Sequence, residues 1–104
     1  MLYSYSVENN CLIINLNELV EDLSFISPLY LKGCKHLILN LSQLSQLDVN
    51  DIAKFSTFGN NLVGINSFVM ISNQILDENF SITPTLQEAF DIIELEDIER
   101  ILNL

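Results

Sequence analysis

The sequence predicts an α/β domain, with a small mixed β-sheet of four to five strands and helices packed mainly on one face. Nearly continuous apolar runs, such as Leu12 to Ile14 and Leu37 to Leu39, are typical of strands buried on both sides. Segments with helical spacing alternate with these runs. With 49% hydrophobic and 17% charged residues, the 104-residue chain is no disordered polymer, and its length predicts one domain, residues 1–104.

The first elements are predicted to be a β-hairpin and a short helix. Leu2 to Val7 alternates between apolar and polar residues, as a half-exposed strand does. Glu8 to Asn10 is expected to form a tight turn, because asparagine tolerates positive φ. Cys11 to Leu16 then has the composition of a central strand. A short helix containing Pro28 follows, and Gly33 is a natural end for it.

The middle of the chain predicts a strand, a helix and a further strand. His36 to Leu41 is expected to be a buried strand that leads through a serine- and leucine-containing turn into the helix. Asp48 or Asn50 is expected to cap that helix, since short polar side chains there accept hydrogen bonds from free N–H groups. Ser67 to Ser72 is the next buried strand. Four apolar residues would form the inner helix face: Ile52, Phe55, Phe58 and Leu62.

The C-terminal part predicts an edge strand at Phe80 to Ile82 and then helical structure capped by Thr85. Helical spacing of apolar residues holds as far as Ile93. Beyond Glu94 the same spacing falls on Glu96 and Asp97, so the pattern slips. The slip predicts a kink near Glu94, or two short helices. The apolar residues after it are Leu95, Ile98, Ile101 and Leu102.

The charge of the chain restricts its partners and its location. A formal net charge of −10 repels phosphate backbones and anionic lipid, so neither nucleic-acid binding nor a membrane role is expected. No apolar run approaches the roughly 20 residues of a membrane span, and Met1 to Asn10 lacks signal-peptide features. We therefore expect a cytoplasmic protein without membrane insertion. The acidic segment Asp77 to Glu99 predicts a solvated outer face; the alternative is a docking surface for a basic partner.

The residue types that usually perform catalysis are sparse. One histidine, His36, supplies neither a metal site nor a nucleophile-base pair. Cys11 and Cys34 are expected to be buried free thiols, although Lys32, Lys35 or His36 would favour a thiolate at Cys34. The three glycines are too dispersed for a phosphate loop. We therefore expect no enzyme activity, no cofactor and no metal. Three carboxylate pairs are expected to stabilise helix starts: Glu21/Asp22, Asp48/Asp51 and Glu96/Asp97.

Four short segments carry a family resemblance. Leu39 to Ser42 (LNLS) ends the third strand, and Leu47 to Ile52 (LDVNDI) stands at the following helix start. Asn17 to Leu19 (NEL) follows the second strand, and Leu86 to Phe90 (LQEAF) opens the last helix. In order and spacing, along nearly the whole chain, these segments resemble the STAS domain of bacterial anti-sigma-factor antagonists. In that family a strand runs into a Leu-Ser turn, then Asp-Ser-Ser-Gly-Leu, then a helix.

The resemblance implies a non-catalytic signalling domain that binds a protein, either an anti-sigma factor or a sensor-type component. The family's phosphorylated serine would fall at Asn50, which cannot be phosphorylated. The resemblance therefore implies either regulation without that switch or loss of the family's original function. The alternatives are a small-molecule or nucleotide-binding module and a small subunit of a larger assembly, such as a lipid transporter. The expected partner-binding residues are Ser45, Asp48, Asn50, Asp51 and Lys54.

Overall fold

The protein forms a five-stranded sheet with three helices in the residues that its computed structural model describes, 2–74, 77 and 79–103. Strands and helices alternate along most of the chain, which confirms the predicted α/β class. The strands are β1 (Tyr3–Glu8), β2 (Cys11–Leu16), β3 (His36–Asn40), β4 (Phe68–Ile71) and β5 (Ile82–Thr83). The helices are α1 (Ile26–Tyr30), α2 (Val49–Val63) and α3 (Leu86–Leu102).

The sheet has the strand order β1-β2-β3-β4-β5, so neighbours in sequence are neighbours in space. β1 pairs with β2 in antiparallel orientation, and the other pairs are parallel. Parallel neighbours require crossover connections, and those after β2 and β3 carry α1 and α2 onto the sheet, whereas α3 follows β5. Because β2, β3 and β4 run the same way, they share a carboxyl end of the sheet and an amino end.

Two hydrophobic cores lie on opposite faces of the sheet, since successive strand residues point in opposite directions. Two helices, α1 and α2, cover one face, and α3 covers the other, which agrees with the prediction of helices mainly on one face. The core beneath α1 and α2 includes Leu12, Ile14, Leu37, Leu39, Ile52, Phe55 and Met70. The smaller core beneath α3 contains Cys11, Ile13, Ile38, Val69, Ile71, Ala89 and Ile93.

The predicted N-terminal hairpin is confirmed. Asn9 and Asn10 form its turn with φ values of 54° and 64°, the left-handed conformation that asparagine tolerates. The predicted half-burial of the first strand holds only for Tyr3, however. Tyr5 and Val7 are 50% and 60% exposed. The reason is that β1 lies at the edge of the sheet, and the five-residue helix α1 packs against β2 rather than over β1.

Helix α2 follows its predicted pattern closely. Asp48 is the N-cap, which decides between the two candidates, and the predicted apolar residues face the core. Gly59 lies where α2 crosses β4, so close that a Cβ atom there would overlap the Phe68 ring. Gly64, with a φ of 62°, ends the helix in a conformation that favours glycine. A small residue at 59 therefore sets how near the helix lies to the sheet.

The prediction of a kink near Glu94 is wrong, because α3 is one continuous helix of 17 residues. Thr85 caps it as predicted: its hydroxyl accepts a hydrogen bond from the backbone N–H of Glu88. After Glu94 the positions that face the sheet carry polar residues, and the helix continues without a break. The apolar residues of this half point to solvent instead, with exposed fractions of 59% at Leu95, 46% at Ile98, 67% at Ile101 and 76% at Leu102.

The last strand, β5, begins at Ile82 and therefore overlaps the predicted edge strand only at its final residue. Its pairing with β4 is continued by backbone hydrogen bonds from Met70 N to Ser81 O (2.9 Å) and from Ser72 N to Thr83 O (2.9 Å). Within the described part of the chain, no helix has both the length and the apolar composition to cross a membrane.

Candidate functional site

The predicted site lies at the carboxyl end of the sheet, where the loop after β3 enters α2. Leu41 and Leu44 are buried and anchor this loop in the core. The side-chain amide of Gln74, beyond the end of β4, donates a hydrogen bond to the carbonyl of Leu44. The loop is thus held both by its buried leucines and by the hydrogen bond from Gln74. It presents the start of α2 at the end of an α/β sheet where ligands commonly bind.

Two of the predicted site residues cap the helix reciprocally. Asp48 Oδ1 accepts a hydrogen bond from the N–H of Asp51 (2.9 Å), and Asp51 Oδ2 accepts one from the N–H of Asp48 (3.2 Å). These bonds satisfy donors that the first helical turn leaves free, and both carboxylates favour the positive end of the helix dipole. Asp48 and Asp51 therefore have a structural role before any role in binding.

The other predicted residues surround this cap. Ser45, Asn50 and Lys54 are exposed, and Asp51 is half-buried. Lys54 is near Asp22, whose pKa is lowered mainly by a hydrogen bond from the Ser24 backbone N–H and to a smaller extent by the Lys54 ammonium. Asn50 and Lys54 thus offer accessible polar groups.

A cleft opens between this helix start and the segment after β2. Its volume is about 560 Å³, and its lining residues are Leu19, Ser45, Gln46, Leu47, Asp48, Asp51 and Gln74. A second cleft of about 340 Å³ continues past Glu18 and Gln43. Every charged residue lining the two clefts is a carboxylate. They therefore favour neutral or cationic groups over anions. Of the five predicted residues, the structure brings Ser45, Asp48 and Asp51 together in one cleft.

His36 belongs to a different group, at the amino end of the sheet. Its Nδ1 accepts a hydrogen bond from the backbone N–H of Ser67 (3.0 Å), so the ring proton is on Nε2. That Nε2–H donates to Asp97 Oδ2 (3.0 Å). Both ring nitrogens are occupied by the protein itself. In this arrangement the neutral ring positions a helix and is not free to transfer a proton or bind a metal ion.

Arg100 completes the group, which we call the polar pin: His36, Ser67, Asp97 and Arg100. One guanidinium nitrogen lies 2.7 Å from Asp97 Oδ1 and 2.8 Å from Ser67 Oγ. Another donates to the carbonyl of Ile65 (3.1 Å), and Lys35 approaches Asp97 from the surface at 3.3 Å. The pin therefore attaches the second half of α3 to the sheet through hydrogen bonds rather than apolar contact.

The electrostatics of the pin keep His36 neutral and Asp97 charged. Burial lowers the pKa of His36, and the nearby Asp97 carboxylate offsets this only in part. For Asp97, partial burial alone would raise the pKa. The hydrogen bond from Arg100, together with His36 and Lys35, outweighs it and lowers the pKa to about 2. Sequence reasoning missed this group because Asp97 lies 61 residues from His36; its one local signal was the slip at Glu94.

The cysteines are free thiols, as predicted, with Cys11 buried and Cys34 half-buried. Burial raises the pKa of Cys11 to about 11, with smaller contributions from the charges of Asp97, Cys34 and Glu8. Burial also raises the pKa of Cys34. The nearest predicted cations do not offset this, since His36 is neutral and Lys35 pairs with Asp97. Neither thiol is an activated nucleophile.

The remaining carboxylates hold local structure. Asp22 accepts a hydrogen bond from the N–H of Ser24 (2.9 Å) before α1, and Asp97 belongs to the polar pin rather than to a helix start. Among residues 2–74, 77 and 79–103, no group of three or more His, Cys, Asp or Glu side chains is arranged to hold a metal ion.

Comparison with known proteins gives no relative from which a function could be transferred. The chain matches no protein-family model, and no curated protein is significantly similar to it. What can be said of its function therefore rests on the residues and their arrangement.

Proposed function

We propose that this chain is a non-catalytic regulatory domain of STAS type, which binds another protein through the surface where α2 begins. The observation that carries the proposal is the exposed helix start at the carboxyl end of the sheet. Asn50 and Lys54 are exposed there, and an internally capped turn holds them in fixed positions. A rigid element that presents accessible polar side chains is suited to recognition. The partner that the resemblance implies is an anti-sigma factor or a sensor-type component.

Binding at this surface would not be controlled by phosphorylation of position 50. Asn50 is the second residue of α2 and its side chain is exposed, so a serine there would be accessible to a kinase. Asparagine has no hydroxyl to accept phosphate. Asp51 already supplies one negative charge in the same turn. The proposed domain is therefore in a single state with respect to the family's switch.

The surface is less suited to a nucleotide, the second candidate. The N–H of Asp51, which an anion at a helix start would use, donates to Asp48. Both carboxylates also line the adjoining cleft. A nucleotide phosphate would meet negative charge at close range. A thermal-shift screen with nucleotides is expected to show no rise in Tm; a concentration-dependent rise would favour the ligand-binding function instead.

The proposal is tested by affinity purification of the native protein from its own cells, with identification of what is captured. Lys54→Glu and Asn50→Arg are the informative variants, because both side chains are exposed and neither takes part in the cap. Lys32→Glu is the matched control, since it makes the same charge change at an exposed site near the opposite end of the sheet. An anti-sigma factor or sensor component should be captured by wild type and by Lys32→Glu, and lost with the other two variants.

Two results would contradict the proposal. Equal capture by all four proteins would mean that the surface is elsewhere, and recovery of transporter subunits would favour the subunit alternative. The unswitched state has its own test, incubation with a family-type kinase and labelled ATP. Wild type should take up no label within residues 45–57, whereas Asn50→Ser should be labelled there if the kinase recognises the turn. Label in that segment of wild type would refute the absence of a switch.

A further inference from the structure

The second half of α3 carries an apolar face that the fold leaves uncovered. Leu95, Ile98 and Leu102, which we call the outer seam, recur at spacings of three and four residues and are all exposed. Residues so spaced lie along one side of a helix. Single exposed apolar residues are common on protein surfaces, but a continuous row of them marks an interaction site.

The polar pin fixes the direction of the outer seam. Asp97 and Arg100 lie on the side of α3 opposite the seam, and both are bonded to the sheet side. Rotating the helix to bury the seam would break the Asp97–His36 and Arg100–Ser67 hydrogen bonds. It would also leave His36 Nε2–H buried without a partner, since the residue is 1% exposed. The seam is therefore held toward solvent by specific bonds.

The spacing of the seam matches the pairing surface of a coiled coil. With Leu95 and Leu102 at a positions and Ile98 at d, the flanking e position is Glu99 and the flanking g positions are Glu94 and Ile101. Both glutamates are exposed. The preceding d position is Asp91, which limits the seam to two turns, about 10 Å of helix. An apolar row with acidic flanks requires a partner that has basic flanks.

A groove beside the seam supplies a second point of contact. It lies between α3 and the β1–β2 turn, and its volume is about 390 Å³. Its lining is mainly apolar and includes the carboxylates Glu94 and Asp97. The lining residues are Asn9, Cys11, Phe90, Ile93, Glu94, Asp97, Ile98 and Ile101. Because Ile98 belongs to both seam and groove, a side chain from a helix lying on the seam would reach the groove.

Charge decides between a second copy of this chain and a different partner. If two copies paired their seams in parallel, Glu94 of each would face Glu99 of the other. In antiparallel pairing, Glu94 would face Ile101 of the other copy rather than a glutamate. Parallel pairing would thus bring like charges together, and in either orientation both chains would carry a net charge of −10. Lysine or arginine at the partner's e and g positions would convert each repulsion into an attraction.

We propose that the outer seam and the adjoining groove bind a cationic amphipathic helix of another protein, with leucine-like residues in the seam and lysine or arginine opposite Glu94 and Glu99. This surface lies on the α3 face near the amino end of the sheet. The surface at the start of α2 lies at the carboxyl end, beside the other face. Binding at the outer seam therefore does not depend on binding at the start of α2, and either can be refuted without the other.

The test uses two synthetic peptides of about three heptads, with leucine at every a and d position. One has lysine at e and g, and the other has glutamate. Fluorescence anisotropy with the intact protein should show binding of the lysine peptide, which weakens as sodium chloride is raised because screening reduces the charge attraction. The glutamate peptide should bind at least tenfold more weakly. Equal binding of both peptides would overturn the proposal.

Variants separate the seam from general attraction between opposite charges. Ile98→Ser removes apolar surface at unchanged charge and should weaken binding of the lysine peptide roughly tenfold. Ile65→Ser makes the same kind of change at another exposed isoleucine and should leave binding unchanged. Glu94→Lys should weaken binding more than Glu18→Lys, its charge-matched control at the carboxyl end. Circular dichroism should show that each variant is folded, as expected for substitutions of exposed residues.

Two further outcomes would refute the inference. If Ile98→Ser and Ile65→Ser bind the lysine peptide equally, the contact is only electrostatic and the seam takes no part. If sedimentation shows a dimer of the wild-type protein that Ile98→Ser converts to monomer, the occupant is a second copy. A wild-type monomer together with seam-dependent, salt-sensitive peptide binding would establish the proposed surface.

Discussion

The helices α2 and α3 are of similar length, and they make contrasting use of their apolar residues. In α2 these residues face the core along the whole helix, from Ile52 to Val63. In α3 only Ala89 and Ile93 are buried, and the second half turns its apolar row outward. The inward positions there hold Asp97 and Arg100. One helix is attached to the sheet by packing along its length, and the other by packing in its first half and hydrogen bonds in its second.

The contrast shows that a row of apolar residues identifies the buried side of a helix only where no set of polar hydrogen bonds fixes the orientation of that helix. Burying three apolar side chains contributes several kcal/mol in principle. In α3 that gain would require breaking a set of bonds in which a buried imidazole and a carboxylate satisfy each other. Unpaired polar groups in the core cost about as much as the burial would contribute. Polar bonds can therefore leave an apolar row available to a partner.

Truncating one isoleucine in α2 and one in α3 is the most sensitive test of the difference between the two helices. Ile52→Ala opens a cavity at a fully buried position in α2 and should lower the free energy of unfolding by about 2–5 kcal/mol. Ile98→Ala, at the outer seam, should change it by no more than about 0.5 kcal/mol. Urea denaturation followed by circular dichroism measures both. A large loss of stability for Ile98→Ala would mean that the seam is covered within the chain.

Local sequence chemistry sufficed to predict the elements in which neighbours in sequence decide the structure. The Asn9-Asn10 turn and strand β2 were predicted at their observed positions, because positive φ and a continuous apolar run are local properties. The path of α3 was mispredicted because Asp97 bonds to His36, far away in sequence. The periodicity of the sequence shows that the positions facing the sheet become polar after Glu94. It does not show that hydrogen bonds to residues distant in sequence hold those polar side chains against the sheet.

A substitution at the closest contact of α2 with the sheet tests how the packed helix is positioned. Gly59→Ala should destabilise the protein by about 1–3 kcal/mol, because the new methyl group overlaps the buried Phe68 ring. Alanine in place of glycine ordinarily stabilises a helix by about 0.5–1 kcal/mol, so the sign is informative. Asn61→Ala, at an exposed position of α2, is the control and should be neutral or slightly stabilising by urea denaturation. Stabilisation by both would contradict the close approach.

The sequence predicts where the residues of the candidate site lie along the chain, but not the hydrogen bonds between them or the cleft beside them. The expected partner-binding residues Ser45, Asp48, Asn50, Asp51 and Lys54 lie in the turn before α2 and in its first turns, and their role in binding stays a prediction. That Asp48 and Asp51 bond to each other's backbone was not predicted, because it depends on side-chain conformations. The cleft beside them involves Leu19 and Gln74 from other segments, which no pattern near the motif could indicate.

Removing the cap of α2 tests the structural role of the turn. Asp48→Ala deletes the acceptor for the N–H of Asp51 and should cost about 1 kcal/mol of stability in urea denaturation. Asp48→Asn keeps a capping oxygen and should retain most of the stability. If Asp48→Ala were as stable as wild type, the reciprocal cap would be of no energetic importance. Asp48 would then be free to serve in binding.

The smallest effect expected is a dependence of stability on pH that comes from the polar pin of α3 and has no counterpart in α2. The pKa of His36 is lowered in the folded protein, where the neutral ring accepts a hydrogen bond from Ser67 N–H. Between its ordinary pKa of 6.5 and the lower pKa of the folded state, the unfolded chain therefore binds a proton that the folded chain does not. The stability that the neutral ring contributes is therefore complete above pH 6.5, the pKa of the unfolded chain, and is lost as the pH falls through the lower pKa of the folded protein.

The matched variant is His36→Gln, whose amide carries both a donor and an acceptor but does not titrate in this range. The quantity to measure is the difference in free energy of unfolding between wild type and variant from pH 7.5 to pH 5, by urea denaturation. Wild type should lose stability relative to the variant as the pH falls, although Asp97 remains charged with its pKa of about 2. A constant difference would mean that His36 has the same pKa in the folded and the unfolded protein. A difference that grows with acid in favour of wild type would mean that the protonated ring pairs with Asp97, and that the pin becomes stronger rather than weaker.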